Sequence, residues 1–124
     1  MYFNGKIMEE GFNKAFKSVA SFFDVLSHPD RLKILSMLHK KEMDVNELQQ
    51  SLGISQSRVS QHLKLLKLYE LVFERREGRH VYYSLKDQRI SKVVESAVQF
   101  QMIGISSDPE LITMFKDIIT LLQF

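Results

Sequence analysis

The stretch Asp44–Leu68, DVNELQQSLGISQSRVSQHLKLLKL, decides how the rest of the 124-residue chain is read. Asp44 and Glu47 have the D-x-x-E spacing of a capping box, in which each side chain satisfies a free N–H of the first turn, so a helix should begin at Val45. Val45, Leu48 and Leu52 form its apolar side, and Gly53 stands where a left-handed C-terminal cap would fall. Ser55 can cap a second helix with Val59, Leu63 and Leu66 as its buried stripe. The other side of that helix carries Gln56, Ser57, Arg58, Ser60, Gln61 and Lys64. Amides and hydroxyls can pair with base edges while Arg and Lys reach phosphates, so this face suits a DNA major groove. A helical hairpin with a solvated outer face has the same pattern, and the flanking sequence separates the two.

Leu71–Leu85, LVFERREGRHVYYSL, reads as two strands of β-formers, Val72, Phe73, Val81, Tyr82 and Tyr83, turning at Glu77-Gly78. Arg75, Arg76 and Arg79 cluster at the tip with His80. A basic hairpin directly after a helix-turn-helix is a wing, placed to touch phosphate or the minor groove. The same charges would also block edge pairing in a merely solvated hairpin.

Together with HPDRLKILSML upstream, these residues resemble the ArsR/SmtB family of bacterial winged-helix repressors over about residues 22–98. The Pro-x-Arg helix opening, V-S-x-H-L and G-R-x-V-Y-Y carry the resemblance. It implies a winged helix-turn-helix fold, mainly α with a small β-hairpin, about five to six helices and a helical dimer interface. It also implies a homodimer that binds double-stranded operator DNA and often releases it when an effector binds. Gln56, Ser57, Ser60 and Gln61 are then the candidates for base edges. Arg58, His62, Lys64, Arg75, Arg76 and Arg79 are the candidates for phosphates, with His62 in the V-S-x-H-L motif also open to structural support. The competing reading is a winged-helix module that kept the fold for protein interaction, or an anti-repressor that displaces another DNA-binding protein.

Net charge is only +2 and would not by itself point to nucleic acid, but its distribution does. Residues 55–80 hold six Lys or Arg against three Glu, whereas residues 108–124 hold one Lys against three acids. The positive charge therefore falls on the proposed DNA face. Cysteine is absent, which removes disulfides, thiolate metal sites and thiol redox sensing. No signal-peptide core or membrane-length apolar run is visible, and the expected location is the cytoplasm.

The remaining segments are read as packing elements of one domain over residues 1–124. Met1–Gly11 is a loose or partly helical arm. Phe12–Leu26 is a helix with more aromatic surface than one small core needs, which favours a subunit interface over plain core packing. His28-Pro29 opens the next helix, with Leu32, Ile34, Leu35 and Leu38 inward; Arg31 and Lys33 are either backbone contacts or a solvated pair. Lys86–Met102 is a long helix broken at Gly104–Ser107. Ser107 and Glu110 have capping-box spacing for a last helix to Leu122, whose stripe pairs most simply with the first helix in a dimer. Its polar face lacks the Lys and Arg of a membrane-surface helix.

No motif for catalysis or for a cofactor is present: there is no phosphate-binding glycine loop, no nucleophile elbow and no H-E-x-x-H. His39 near Glu42 and Asp44 reads as a solvated loop residue in preference to a metal ligand. Against the resemblance, Asp44 stands where many metal sensors of the family carry cysteine. Asp87 matches one ligand of the family's long-helix zinc site, but Arg89, Phe100 and Ile103 occupy the other ligand positions and cannot hold a divalent ion. No metal is expected at either family site, and the effector is unassigned. Constitutive DNA binding is favoured over an organic ligand lodged where Phe16, Phe23, Phe100 and Phe115 would converge.

Overall fold

In the computed structural model, which describes residues 6–104 and 107–123, local signals in the sequence place most of the element ends. The helix-turn-helix consists of α3 (Val45–Leu52) and α4 (Gln56–Leu68), preceded by α1 (Lys6–Leu26), α2 (Pro29–Lys40) and a short β1 (Met43–Asp44). It is followed by β2 (Val72–Glu77), β3 (His80–Leu85), α5 (Arg89–Gly104) and α6 (Pro109–Leu122). Both halves of the Asp44/Glu47 box form: Glu47 N–H donates to Asp44 Oδ1 at 2.8 Å, and Asp44 N–H to Glu47 Oε1 at 3.4 Å. Gly53 takes φ +68°, a left-handed conformation that costs an L-residue energy and glycine none. Ser55 Oγ accepts from the Arg58 N–H at 3.2 Å and starts α4.

One core joins these elements. Ile34, Leu35 and Leu38 of α2 meet Leu48 of α3 and Val59, Leu63 and Leu66 of α4, with Val72, Leu85 and Ile90 closing the far side. Val59, Leu63 and Leu66 are completely or almost completely buried, so the opposite face of α4 is held outward by packing. The sheet is antiparallel in the order β1-β3-β2, with Asp44 opposite Tyr82 and Glu77 opposite His80.

Several ends differ from the sequence reading. α1 is already helical from Lys6, ahead of the expected Phe12, and Met1–Gly5 lie outside the described residues. β1 was not anticipated, because two residues are too few to show periodicity. The wing turns at Gly78-Arg79, one residue later than expected, with φ +62° at Gly78. α5 starts at Arg89 and not at Lys86. α6 is capped by Asp108 and not by Ser107: Asp108 Oδ1 accepts from the Leu111 N–H at 3.2 Å. That choice puts Pro109 at the first helical position, where its missing N–H costs nothing. The break after Gly104 falls partly on residues 105 and 106, outside the described residues.

A cavity of about 560 Å³ opens between α1, α2, α5 and α6, lined by Phe23, Leu32, Met37, Val93, Val98 and Phe115 among others. Phe16 and Phe100 do not join it; they are 69% and 75% exposed. The expected convergence of four phenylalanines is therefore reduced to Phe23 and Phe115. No described helix is long and apolar enough to cross a membrane.

Candidate nucleic-acid interface

Successive residues of a helix are about 100° apart, so Ser57, Ser60, Gln61 and Lys64 share one stripe of α4. All four are exposed, as is Gln56 in the first turn. Lys64 has no ion-pair partner among the described residues, and the same is true of Arg76 and Arg79 on the wing. These are the cations free to meet an anion.

The other candidates are differently occupied. The sequence makes His62 a phosphate candidate, but its side chain is only 11% exposed. Its ring lies 4.5 Å from that of His28, and its Nε2 is 3.8 Å from Asp30 Oδ2. The ring is turned inward against the start of α2, the placement that the structural alternative for its motif calls for. Burial, then His28 and Arg31, hold its imidazole below the ordinary value. Arg58 shares the His62 side of α4, one turn earlier, and its Nη2 donates to the same Asp30 Oδ2 at 3.3 Å.

Arg75 is tied within the wing. Its Nη2 and Nε donate to Glu42 at 2.6 and 3.2 Å, its Nη1 donates to Glu77 at 2.7 Å, and the guanidinium lies 4.8 Å from the Tyr82 ring centre. The Arg75 hydrogen bond holds the Glu42 carboxyl below its usual range. This clamp joins the β2 strand to the segment before β1. A second tie runs from Lys67 Nζ at the end of α4 to Glu74 Oε2 in β2, at 3.1 Å, with Tyr83 Oη donating to the same oxygen at 3.3 Å. Helix and wing are thus held to one another by side-chain contacts.

The sequence reading did not find Asp30. It stands in the first turn of α2, where His28 Nδ1 accepts from its N–H at 3.1 Å. His28, Asp30 and His62 each place a donor atom within 4.8 Å of the others, the ligand types of a divalent-metal site. The guanidiniums of Arg31 and Arg58 touch the same groups, however, with Arg31 Nη1 3.4 Å from His62 Nδ1. Two fixed positive charges there oppose a third. The only sequence signal was the Arg58/His62 spacing of four, which put both on one side of a helix without naming a partner.

His39 is not a solvated loop residue. It lies in α2, half-buried, with Nδ1 2.7 Å from Ser91 Oγ on α5. Asp87 and Arg89 form a fork: Arg89 Nη2 and Nε donate to Asp87 at 2.6 and 3.0–3.1 Å, and the Arg89 N–H donates at 2.9 Å. Those bonds pull the Asp87 carboxyl down to about 2.

A helix-turn-helix packed by Val59, Leu63 and Leu66, followed by a basic hairpin, defines a winged helix-turn-helix protein. The family model described as "Bacterial regulatory protein, arsR family" matches residues 28–72. A "Transcriptional repressor SmtB homolog" of Synechocystis is 40% identical over 74 residues, 60% of this chain and 56% of the relative. The regulator NmtR of Mycobacterium tuberculosis is 35% identical over 86 residues, 69% of this chain and 72% of the relative. The chain thus spans little more than half the length of the first of these. The crystal structure of NolR from Sinorhizobium fredii superimposes with a TM-score of 0.67 at 33% identity, covering 81% of this chain and 96% of that one. The chain belongs to the ArsR family, whose members are DNA-binding transcriptional regulators and not enzymes.

Proposed function

We propose that this protein is a homodimeric, sequence-specific transcriptional repressor of the cytoplasm that binds an inverted-repeat operator. One observation carries the reading: burial of Val59, Leu63 and Leu66 turns a stripe of short polar and basic side chains outward, beside a wing whose Arg76 and Arg79 have no ion-pair partner among the described residues. Gln56, Ser57, Ser60 and Gln61 read base edges; Lys64, Arg76 and Arg79 neutralise phosphates. A two-fold dimer places two α4 helices on half-sites about one helical turn apart or a multiple of it.

Exposure of Phe16, Val19 and Phe23 on α1, Phe100 and Ile103 on α5, and Met114 on α6 supports the dimer, because a monomer rarely leaves that much apolar surface in water. Regulation does not run through the family's metal positions. Asp87, the one residue that matches the long-helix site, is already bound by Arg89 of its own chain. Control by abundance or competition for DNA fits best.

The test is a gel shift on the upstream region of the protein's own gene, with scrambled duplex as competitor. A discrete complex that resists scrambled competitor is the expected result, and binding indifferent to sequence contradicts it.

A further inference from the structure

We propose that Arg58 is a strut and not a phosphate ligand, and that Asp30 is the positioning residue that makes it one. This rests on the DNA-binding reading above and specifies which charges of α4 take part.

A continuous path of polar contacts crosses three helices. Arg31 Nε donates to the Val25 carbonyl at the end of α1. Its Nη1 faces His62 Nδ1, His62 Nε2 faces Asp30 Oδ2, and Arg58 Nη2 donates to that same oxygen. Asp30 therefore receives two positions one turn apart on α4, from a site fixed by Pro29 and by the His28 cap. The Arg58 backbone N–H is held as well, by Ser55 Oγ. The first two turns of the reading helix are thus anchored through both main chain and side chain.

Arg58 is more than half exposed and would reach a phosphate if only its own freedom mattered. Its partner decides otherwise. The Asp30 side chain is 13% exposed, and apart from Arg58 only His62, an imidazole held toward its neutral form, lies within ion-pair distance among the described residues. Moving Arg58 to a phosphate would exchange one anion for another and leave a largely desolvated carboxylate without a cation. No such constraint acts on Lys64, Arg76 or Arg79. The outward stripe of Ser57, Ser60, Gln61 and Lys64 reads, and the adjacent pair Arg58 and His62 sets the angle at which it is presented.

This division of labour has a signature that a merely structural role would not give. A cation that neutralises a phosphate adds about −0.9 to the slope of log K against log salt; one already paired with a carboxylate adds nothing. The measurement is fluorescence anisotropy of operator and scrambled duplexes over a series of KCl concentrations. It compares wild type, Arg58→Gln, Asp30→Asn and the double variant.

Arg58→Gln should weaken operator binding several-fold while leaving the slope unchanged. Asp30→Asn should release Arg58 and steepen the slope by about 0.9 per protomer, mostly as tighter binding to scrambled duplex. The double variant should return to the wild-type slope. A slope made shallower by Arg58→Gln, or binding lost altogether at the lowest salt, overturns the proposal, as does an unchanged slope in folded Asp30→Asn. If Asp30→Asn fails to fold, the Arg58→Gln slope decides alone. A wild-type protein that binds neither duplex contradicts the parent reading, which is seen before any variant is compared.

Discussion

Gly53 sets the angle between α3 and α4, and replacing it with alanine isolates one backbone conformation. At φ +68° and ψ 26° the residue is left-handed, and a Cβ built there meets no atom within 4 Å. The whole effect of Gly53→Ala is therefore conformational. A non-glycine residue in this region costs about 1–2 kcal/mol. Alanine recovers roughly 0.4–1 kcal/mol by narrowing the unfolded ensemble. The net destabilisation is about 1 kcal/mol, a fall in melting temperature of roughly 3–5 °C for a chain of this size. Thermal unfolding followed by circular dichroism at fixed protein concentration measures it, with Gly53→Asn as the intermediate case, since asparagine tolerates the left-handed region better. Gly53→Ala melting with or above wild type would refute the reasoning, and with it the assignment of the α3–α4 turn.

Glu70 is the converse case: it holds φ 60° without being glycine, and in its ion pair with Lys86 at 3.4 Å its own side chain stays 76% exposed. Glu70→Gly should stabilise the fold by roughly 0.5–1 kcal/mol, read by the same melts. Removal of the guanidinium in Arg89→Ala should bring Asp87 from about 2 back toward 3.8, followed by carboxyl NMR titration. The depressed value means that this pair's stabilisation is fully present above the unfolded value of 3.8 and is lost as pH falls toward 2, so Arg89→Ala should slightly weaken the start of α5 near neutrality and make no difference at the acid end. Charge reversal of Arg76 and Arg79 together should abolish operator binding while the circular dichroism spectrum is kept. Retained binding would remove the wing from the interface.

Much of the helix-turn-helix was legible because its signals are local. A capping box, a glycine at the turn and an apolar residue every three or four positions each act within a few residues, and all appear where the sequence put them. The basic outward face followed from the same periodicity. What the sequence could not show were pairings between distant residues. Asp30 lies 28 positions from Arg58, and Glu42 lies 33 from Arg75. Those pairings decide which arginines remain free, so composition located the basic region but not its available charges. β1 escaped notice for a related reason, since Met43 and Asp44 become a strand only when Tyr83 and Tyr82 are brought beside them.

The central claim is that α4 and the wing form a sequence-reading DNA surface, and the salt dependence of operator affinity tests it most directly. Lys64, Arg76 and Arg79, without ion-pair partners among the described residues, give six cations in the proposed dimer, so the slope of log K against log salt should be roughly −5 on the operator, with scrambled duplex bound far more weakly at every salt concentration. Equal affinity for operator and scrambled duplex, or a slope near zero, would contradict it.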